Sequence, residues 1–299
     1  MPPLRNAALG LSAARVGRSL GLWERTPFST VPSGFRFMSS TGTSAPRDWD
    51  GGTYDRVSDP QLRWGTYVLE RLRLQGDERV LDAGCGSGRV TELLLQRLPR
   101  GRVVAVDASP GMLQEAERRL APYGERVALV RADLATPLPV EGQVDAVLST
   151  ATFHWITDHE ALFHVLADVL RARGQLVFQC GGAGNIASVL TAIRAAEKDF
   201  PGCWPAGWHP WNFAGADESR ERLVQAGFTE VETWLNPEPA PLDAGEPLER
   251  FLSTVVLGGH LDRLPEMQRL AFVRAVASRL PRPEIDYVRL NAVARLVTV

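Results

Sequence analysis

Three closely spaced glycines and two acidic residues form the part of this chain best suited to chemistry. The apolar segment 80–83 runs into Gly84, Gly86 and Gly88. Asp82 lies within that segment, and Asp107 ends a second apolar segment nineteen residues after the last glycine. Because glycine adopts positive φ angles and has no Cβ, a bend built from it lets the backbone come close to a ligand. The pattern predicts a ligand-binding loop between a strand and a helix, with Asp107 near the hydroxyls of a ribose.

The charge at this loop distinguishes between two classes of adenosine-bearing cofactor. A dinucleotide would place an anionic pyrophosphate there, and its usual spacing is G-x-G-x-x-G. The spacing here is G-x-G-x-G, and Asp82 would repel a pyrophosphate. The amino and sulfonium groups of S-adenosylmethionine are positive, so a carboxylate at the loop entrance favours that cofactor. An ordinary turn with incidental glycines is the structural alternative.

The elements that must position these residues alternate between strand and helix. Hydrophobic periodicity predicts strands at 79–83, 102–107, 126–131, 144–149 and 175–180, and helices at 59–73, 90–98, 110–120 and 159–172. Such alternation predicts an α/β fold with a doubly wound, mostly parallel sheet. Ligands bind such sheets at the carboxyl ends of the strands, where the glycine loop and Asp107 both fall.

From residue 181 onward the pattern changes and predicts a different kind of structure. Helices are expected at 186–200, 218–226, 248–257 and 265–280, and strands at 229–235 and 286–297. We assign two insertions, at about 184–215 and 245–282, to a helical lid. The lid and the sheet together form one domain over residues 48–299, with the helix from residue 59 as an N-terminal cap.

The ordered motifs resemble those of the class I S-adenosylmethionine-dependent methyltransferases. Residues 82–88 are similar to the first motif of that family, 107–112 to its acidic second motif, 131–134 to the third, and 144–149 to its fourth strand. The resemblance implies a Rossmann-like seven-stranded sheet with an antiparallel edge strand. It also implies cofactor contacts at Tyr54, Arg63, Asp82, Gly84, Cys85, Gly86, Gly88, Asp107, Ala108, Met112, Asp133, Leu134 and Ser149.

The segment 152–159 is similar to the one after strand four in small-molecule methyltransferases, notably the trans-aconitate methyltransferase group. Residues 54–58 and the following helix resemble the segment that folds over the cofactor in the same relatives. His154 lies where methyl groups point in this class, so we predict that it is a catalytic base or a donor that orients the acceptor. A role in packing alone is the alternative for His154.

Four aromatic residues of one loop suit either of two roles. They would wall an apolar acceptor pocket or fasten the loop to the sheet; they are Trp204, Trp208, Trp211 and Phe213. The expected activity is methyl transfer from S-adenosylmethionine to a small organic acceptor, at oxygen. An NAD-dependent oxidoreductase and a catalytically silent, cofactor-binding assembly factor are the alternatives.

The composition limits the partners that this chain can have. Residues 1–47 hold six arginines and one acid, whereas the remainder holds 27 basic and 34 acidic residues. An acidic body would repel a phosphate backbone, so nucleic acid is not an expected partner. Cys85, Cys180 and Cys203 lack the spacing of a metal site or a disulfide framework, so no metal is expected. No apolar run approaches the length of a membrane span.

The arginine-rich arm at 1–47 is expected to be disordered and to lie outside the catalytic fold. Its composition is typical of an organellar transit peptide over residues 1–37. A true start at Met38, preceded by a GC-rich extension, would give much the same composition. We expect a cytoplasmic protein, or a mitochondrial or other organellar one if the transit peptide is real. The sequence leaves the oligomeric state open.

Overall fold

A seven-stranded sheet forms the centre of the described part of the chain, which in this computed structural model comprises residues 48–49, 59–205 and 207–297. Its strands are β1 (Arg79–Ala83), β2 (Arg102–Asp107), β3 (Val127–Arg131), β4 (Val144–Thr150), β5 (Leu170–Gly181), β6 (Phe228–Pro237) and β9 (Val288–Leu296). The short strands β7 (Ala240–Pro241) and β8 (Glu284–Ile285) pair with each other in a separate two-stranded sheet. The order across the sheet is β3-β2-β1-β4-β5-β9-β6. The predicted arm at 1–47 and the predicted contact Tyr54 lie outside the described residues.

Strands β1 to β5 run parallel, and this places the glycine loop at the ligand-binding edge of the sheet. β1 pairs with β2 on one side and with β4 on the other, so Asp82 lies opposite Ala105 and Leu148. The carboxyl ends of β1, β2 and β4 therefore meet, and the segments that follow them form one cleft.

The helices within the described residues are α1 (Asp59–Arg71), α2 (Arg89–Arg97), α3 (Pro110–Leu120), α4 (His159–Val169), α5 (Ala187–Glu197), α6 (Ala216–Gln225), α7 (Glu246–Phe251), α8 (Gly258–Leu261) and α9 (Glu266–Ala277). The alternation along β1 sends Val80 to one face of the sheet and Leu81 to the other. Apolar side chains of α1, α2 and α3 cover the first face, and those of α4 and α6 cover the second. The predicted doubly wound α/β fold is confirmed, with its helices on both faces.

The single antiparallel strand of this sheet is not at its edge. β9 pairs antiparallel with both β5 and β6, and β6 forms the edge instead. The antiparallel strand is therefore the predicted one, but it lies one position in from the edge of the sheet. Periodicity within 286–297 reports that a strand exists, but the neighbour of that strand is set by packing between distant segments.

Strand β5 begins five residues earlier than its pattern predicts. Leu170 already pairs with Val144, so α4 ends at Val169 rather than at residue 172. Arg173, with a φ of 61°, and a shift in register separate this first contact from the main ladder, which resumes at Gln175. The irregularity interrupts the apolar pattern, which is why the sequence places the start of the strand too late.

A second apolar cluster lies outside the sheet and joins the lid helices. It brings together side chains of α5, α7 and α9 with Trp64 of α1 and Trp211. Between α7 and α8 the chain continues as one π-helical turn over Leu252–Val256. Helices are therefore present within both segments that we assigned to a lid, and they share an apolar core; their function as a lid stays a prediction. No helix among the described residues has both the length and the apolar composition that a membrane crossing needs.

Candidate active site

The glycine loop after β1 is held by the end of β2. The backbone N–H groups of Gly84 and Cys85 both donate to the carbonyl oxygen of Val106, at 2.8 and 2.9 Å. The N–H of Gly86 donates to Oδ2 of Asp107 at 2.8 Å. All three glycines have positive φ, at 83°, 54° and 81° for Gly84, Gly86 and Gly88. Residues that have a Cβ adopt this backbone conformation only with strain.

The three glycines differ in what surrounds them. A Cβ on Gly84 would lie 2.2 Å from the side chain of Thr152, and one on Gly88 would lie 3.1 Å from Leu120. A Cβ on Gly86 would have only Met112 near it, with the sulfur 4.0 Å away. Gly84 and Gly88 therefore allow neighbouring segments to pack against the loop, and Gly86 is the glycine that faces open space.

Asp82 is a buried carboxyl group with one oxygen unsatisfied. Its side chain is 1% exposed, and Thr91 of α2 donates its hydroxyl to Oδ2 at 2.6 Å. Oδ1 has no hydrogen-bond partner among the described residues. Burial, opposed by the hydrogen bond from Thr91 and aided by the nearby charge of Asp107, raises the pKa of Asp82 to about 7. A buried carboxylate in this state is stabilised by a cation, so the site fits a ligand with a positive group.

Asp107 fixes the geometry of the loop from the end of β2. Oδ1 accepts from the N–H of Ser109 at 2.9 Å, and Oδ2 accepts from Gly86. Burial raises the pKa of this carboxyl group, while the hydrogen bonds from the Ser109 and Gly86 N–H groups oppose the shift. Each carboxylate oxygen can accept more than one hydrogen bond, so both remain able to accept from ribose hydroxyls.

The other predicted cofactor residues lie around the same cleft. Met112 is buried in the first turn of α3, and the carbonyl of Ala108 accepts from Arg131 at 3.4 Å. Asp133 follows β3 and accepts from the N–H of Ala135 at 2.9 Å, beside the buried Leu134. These residues follow the carboxyl ends of β2 and β3, the two strands next to β1 on that side of the sheet.

Three predicted contacts have their side chains engaged elsewhere. The hydroxyl of Ser149 donates to the carbonyl of Ala83 at 2.6 Å and ties β4 to β1. Cys85 is buried, and burial raises its thiol pKa well above the usual value, so it fills space as an uncharged group. Arg63 pairs with Glu238 at 3.5 Å, with its own side chain 55% exposed. For Ser149 and Cys85 this leaves the backbone as the route to the cofactor, and the predicted contact of Arg63 stays a prediction.

Residues 48 and 49 reach the site without any signal in the sequence. Oδ1 of Asp48 accepts from the hydroxyl of Ser109 at 2.6 Å and from the N–H of Gly111 at 2.9 Å. These bonds lower the pKa of Asp48. The ring of Trp49 meets Trp155 edge-on, with centroids 5.2 Å apart. The segment therefore links the start of α3, about sixty residues away in sequence, with the chain that follows β4, more than a hundred residues away.

His154 lies in a single 3-10 turn after β4, and its ring is held in one orientation. The N–H of Gly181 donates to Nδ1 at 3.3 Å, and the ring stacks on Phe213 with centroids 5.9 Å apart. Burial lowers the pKa of His154 well below 6.5, and the charge of Arg289 lowers it further. The ring is therefore neutral. Because Nδ1 accepts a hydrogen bond, the proton resides on Nε2, and His154 can donate from that atom.

The four loop aromatics form one connected group of rings with His260. Trp211 stacks on Phe213 at 5.7 Å and contacts Trp155 at 5.9 Å, so this pair lies beside His154. Trp204, Trp208 and Trp211 all pack around His260, at 5.7, 5.0 and 5.5 Å. Trp211 thus connects the rings beside His154 with those around His260, and the two roles expected for the loop, an acceptor wall or an attachment to the sheet, stay predictions.

Arg289 is a buried cation that the sequence analysis missed. It lies on β9 directly opposite Gly181 of β5, and its Nε donates to Oε1 of Gln179 at 3.3 Å. Its guanidinium group stacks over Trp64 at 4.3 Å. An arginine within the alternating apolar run 288–294 is the signal that could have identified it. Its charge is close enough to act on the pKa of His154 and of Cys180.

Comparison with known proteins agrees with this geometry. A family model described as a methyltransferase domain matches residues 80–174. The trans-aconitate 2-methyltransferase of Paracidovorax citrulli is 30% identical over 240 residues, which cover 76% of this chain and 87% of that protein. The enzyme of the same name from Methylobacterium nodulans is 34% identical over 197 residues, covering 66% of this chain and 70% of that protein.

The chain belongs to the class I S-adenosylmethionine-dependent methyltransferases. The solved structure of the YcgJ protein from Bacillus subtilis has the same fold as this methyltransferase, with a TM-score of 0.55 and 16% identity over 79% of this chain and 99% of that one. The family assignment displaces the alternative of an NAD-dependent oxidoreductase. Because its relatives are named as enzymes, it also favours turnover over a catalytically silent assembly factor.

The site of this methyltransferase fits S-adenosylmethionine on two independent observations. One is the buried Asp82 with an oxygen that lacks a partner among the described residues, and the other is the open space in front of Gly86. The first matches the positive charge of the cofactor, and the second provides room for it beside the backbone. No group of three or more metal-binding side chains is placed to hold an ion within the described ranges.

Proposed function

We propose that this methyltransferase transfers a methyl group to a carboxylate oxygen of a small organic acid. The observation that carries the proposal is the state of His154, whose Nδ1 accepts a hydrogen bond from Gly181 and whose pKa is lowered by burial. The lone pair that a general base would use is thus engaged, and Nε2 presents a proton instead. A hydroxyl acceptor needs a base, whereas a carboxylate is already a nucleophile. His154 therefore acts as a donor that orients an anionic oxygen.

Arg289 supports an anionic acceptor in the same place. A buried guanidinium group opposite Gly181 gives the region around His154 a positive potential. Trp211 and Phe213 border that region and exclude water from it. An acid whose carboxylate accepts from Nε2 of His154 would be held against one ring wall and close to one fixed positive charge. The name of the relatives, which states a carboxylic acid as substrate, agrees with this choice.

The cofactor supplies a methyl group that its sulfonium has already activated, so the protein mainly has to hold and align it. We assign the oxygens of Asp82 to the amino group and those of Asp107 to the ribose hydroxyls. Asp133 and the N–H of Leu134 are assigned to the adenine ring, with Met112 packed beside the cofactor. The backbone of Gly86 borders the space for it.

The remaining predicted contacts stay predictions. They are Tyr54, Arg63, Gly84, Cys85, Gly88, Ala108 and Ser149.

A panel of acceptors tests the proposal. Formation of S-adenosylhomocysteine is measured with trans-aconitate, with apolar monocarboxylic acids, and with the matched alcohols and amines. At saturating S-adenosylmethionine we expect turnover with acids only, at a rate independent of pH between 7 and 9, because no base has to lose a proton. His154→Ala should lower kcat/KM for acids tenfold or more without changing cofactor affinity. Preference for an alcohol or an amine, or a rate that rises with pH, would refute the carboxylate.

The compartment and the N-terminal boundary are also proposals. We infer a catalytic domain over residues 48–299 and a cytoplasmic enzyme, with a mitochondrial or other organellar location if residues 1–37 are a transit peptide. N-terminal sequencing of the native protein distinguishes a start at Met38 or a cleaved arm from a chain that retains residue 1.

A further inference from the structure

We propose that the acceptor is an acid with an aromatic or branched apolar body, and that this body occupies a cavity between α5 and the aromatic loop. The inference rests on the proposed function, which supplies the carboxylate. It adds to that function the kind of acid that the enzyme methylates. A compact tricarboxylate is then a poor substrate for this chain.

The cavity lies next to residues that contact His154. It has a volume of about 770 Å³, and its apolar wall comprises Leu190, Ile193, Trp208, Trp211 and Phe213. Phe213 is also the ring on which His154 stacks, and the N–H of Asn212, another lining residue, donates to the carbonyl of His154 at 2.8 Å. Phe213 and Asn212 thus belong both to the cavity wall and to the surroundings of His154, and we place the apolar body of the acceptor on the cavity side of these two residues.

The size of the cavity exceeds what a small polar acid fills. Clefts of roughly 300–1,000 Å³ bury most of a drug-sized ligand. The apolar part of its lining consists of rings and branched aliphatic side chains, which contribute binding energy mainly against apolar surface. A short acid would leave much of this wall in contact with water.

His260 adds to the apolar character of the wall. Burial lowers the pKa of this histidine to about 4, so its ring is uncharged near neutral pH. The ring stacks on Phe272 at 6.0 Å and contacts Trp208 and Trp211 at 5.0 and 5.5 Å. It serves as one more uncharged ring of the wall.

The charged side chains of the lining do not suit a polyanion. Arg194 is the one arginine among the described lining residues, and it is accompanied by Glu197 and Glu218. Glu218 is paired with Arg222 at 2.7 Å. Glu197 lies 3.8 Å from Nε2 of the neutral His260, and burial raises its pKa. Arg194 is thus the one arginine of this wall among the described residues, too little positive charge to offset the second and third carboxylates of a compound such as trans-aconitate.

Two measurements test the inference: a comparison of kcat/KM between acids, and the effect of a substitution that narrows the cavity. We expect kcat/KM for 3-phenylpropanoate to exceed that for trans-aconitate by tenfold or more. Leu190→Trp, which places a large ring in the cavity, should raise KM for 3-phenylpropanoate at least tenfold and leave KM for propanoate within twofold. Thr191→Trp is the matched control, because Thr191 is exposed on the same turn of α5 and does not line the cavity. It should leave both values unchanged.

Two outcomes would overturn the inference, and they have different consequences for the proposed function. If trans-aconitate is the better substrate, or if Leu190→Trp behaves like Thr191→Trp while its circular dichroism and affinity for S-adenosylhomocysteine stay native, the apolar body is wrong and the carboxylate stands. If no acid yields S-adenosylhomocysteine and an alcohol or an amine does, the proposal of a carboxylate acceptor and the proposal of its apolar body are both refuted.

Discussion

Replacing Asp82 by asparagine should make the ligand-free protein more stable and the cofactor complex weaker. Asp82 is buried, and its pKa of about 7 lies above the ordinary value of 3.8. Folding therefore favours the protonated form, and the resulting cost grows as pH rises from 3.8 to 7 and is complete above 7. At ~1.4 kcal/mol for each of about three pKa units, this cost is on the order of 4 kcal/mol at pH 8.

The asparagine variant should remove that cost, because its amide carries no charge and its oxygen can still accept from Thr91. Denaturant unfolding without ligand should show a gain in stability at pH 8 that shrinks toward pH 4. The same carboxylate binds the amino group of the cofactor in our account. Loss of a charged hydrogen bond of ~1.5–3 kcal/mol should weaken binding of S-adenosylhomocysteine about tenfold to a hundredfold at pH 8.

The pH dependence of binding supplies a second readout. In the unsubstituted protein, Asp82 is about nine-tenths protonated at pH 6, one unit below its pKa, so affinity should fall up to about tenfold from pH 8 to pH 6. The variant should lose this dependence in calorimetric titrations. Asp168→Asn, an exposed position on α4, is the control and should change neither stability nor binding. A variant that binds as tightly as the original chain, or keeps its pH slope, would refute the role of Asp82.

Three further substitutions probe the site and the core. Gly86→Val should abolish binding of S-adenosylhomocysteine, because a branched side chain would fill the open space at a φ of 54°, while far-UV dichroism stays native; retained affinity would contradict this. Asp107→Ala should weaken binding more than tenfold in calorimetry and also lower Tm, since it releases the N–H groups of Gly86 and Ser109; unchanged affinity would remove the ribose assignment. Phe163→Ala, at a ring packed between Phe153 and Phe178, should lower the free energy of unfolding by about 3–5 kcal/mol. A loss below about 1 kcal/mol in denaturant unfolding would show that this core repacks.

The parts of the fold that the sequence predicts well are those set by local pattern. Strands β1 and β2 begin and end at the predicted residues, because each is a short apolar run bounded by turn residues or charges. Asp82 and Asp107 were identifiable because their positions follow from the ends of these strands. The place of β9 between β5 and β6 was not, since the residues of a strand do not specify its neighbour.

The residues that sequence analysis missed act over long distances along the chain. Asp48 reaches Ser109, Thr152 packs against Gly84, and Arg289 lies opposite Gly181. None of these pairs has a spacing that marks it, because each depends on the assembled sheet. His154 shows the reverse case: its place after β4 was predicted, but the donor role that we propose for it depends on the N–H of Gly181 on the neighbouring strand.

A crystal structure of the full chain with bound S-adenosylmethionine tests the central claim most directly. We predict the amino group within hydrogen-bond distance of Oδ1 of Asp82, the ribose hydroxyls at Asp107, and the cofactor in the space before Gly86. A loop that stays empty at saturating cofactor, or that binds the diphosphate of a dinucleotide instead, would contradict the account.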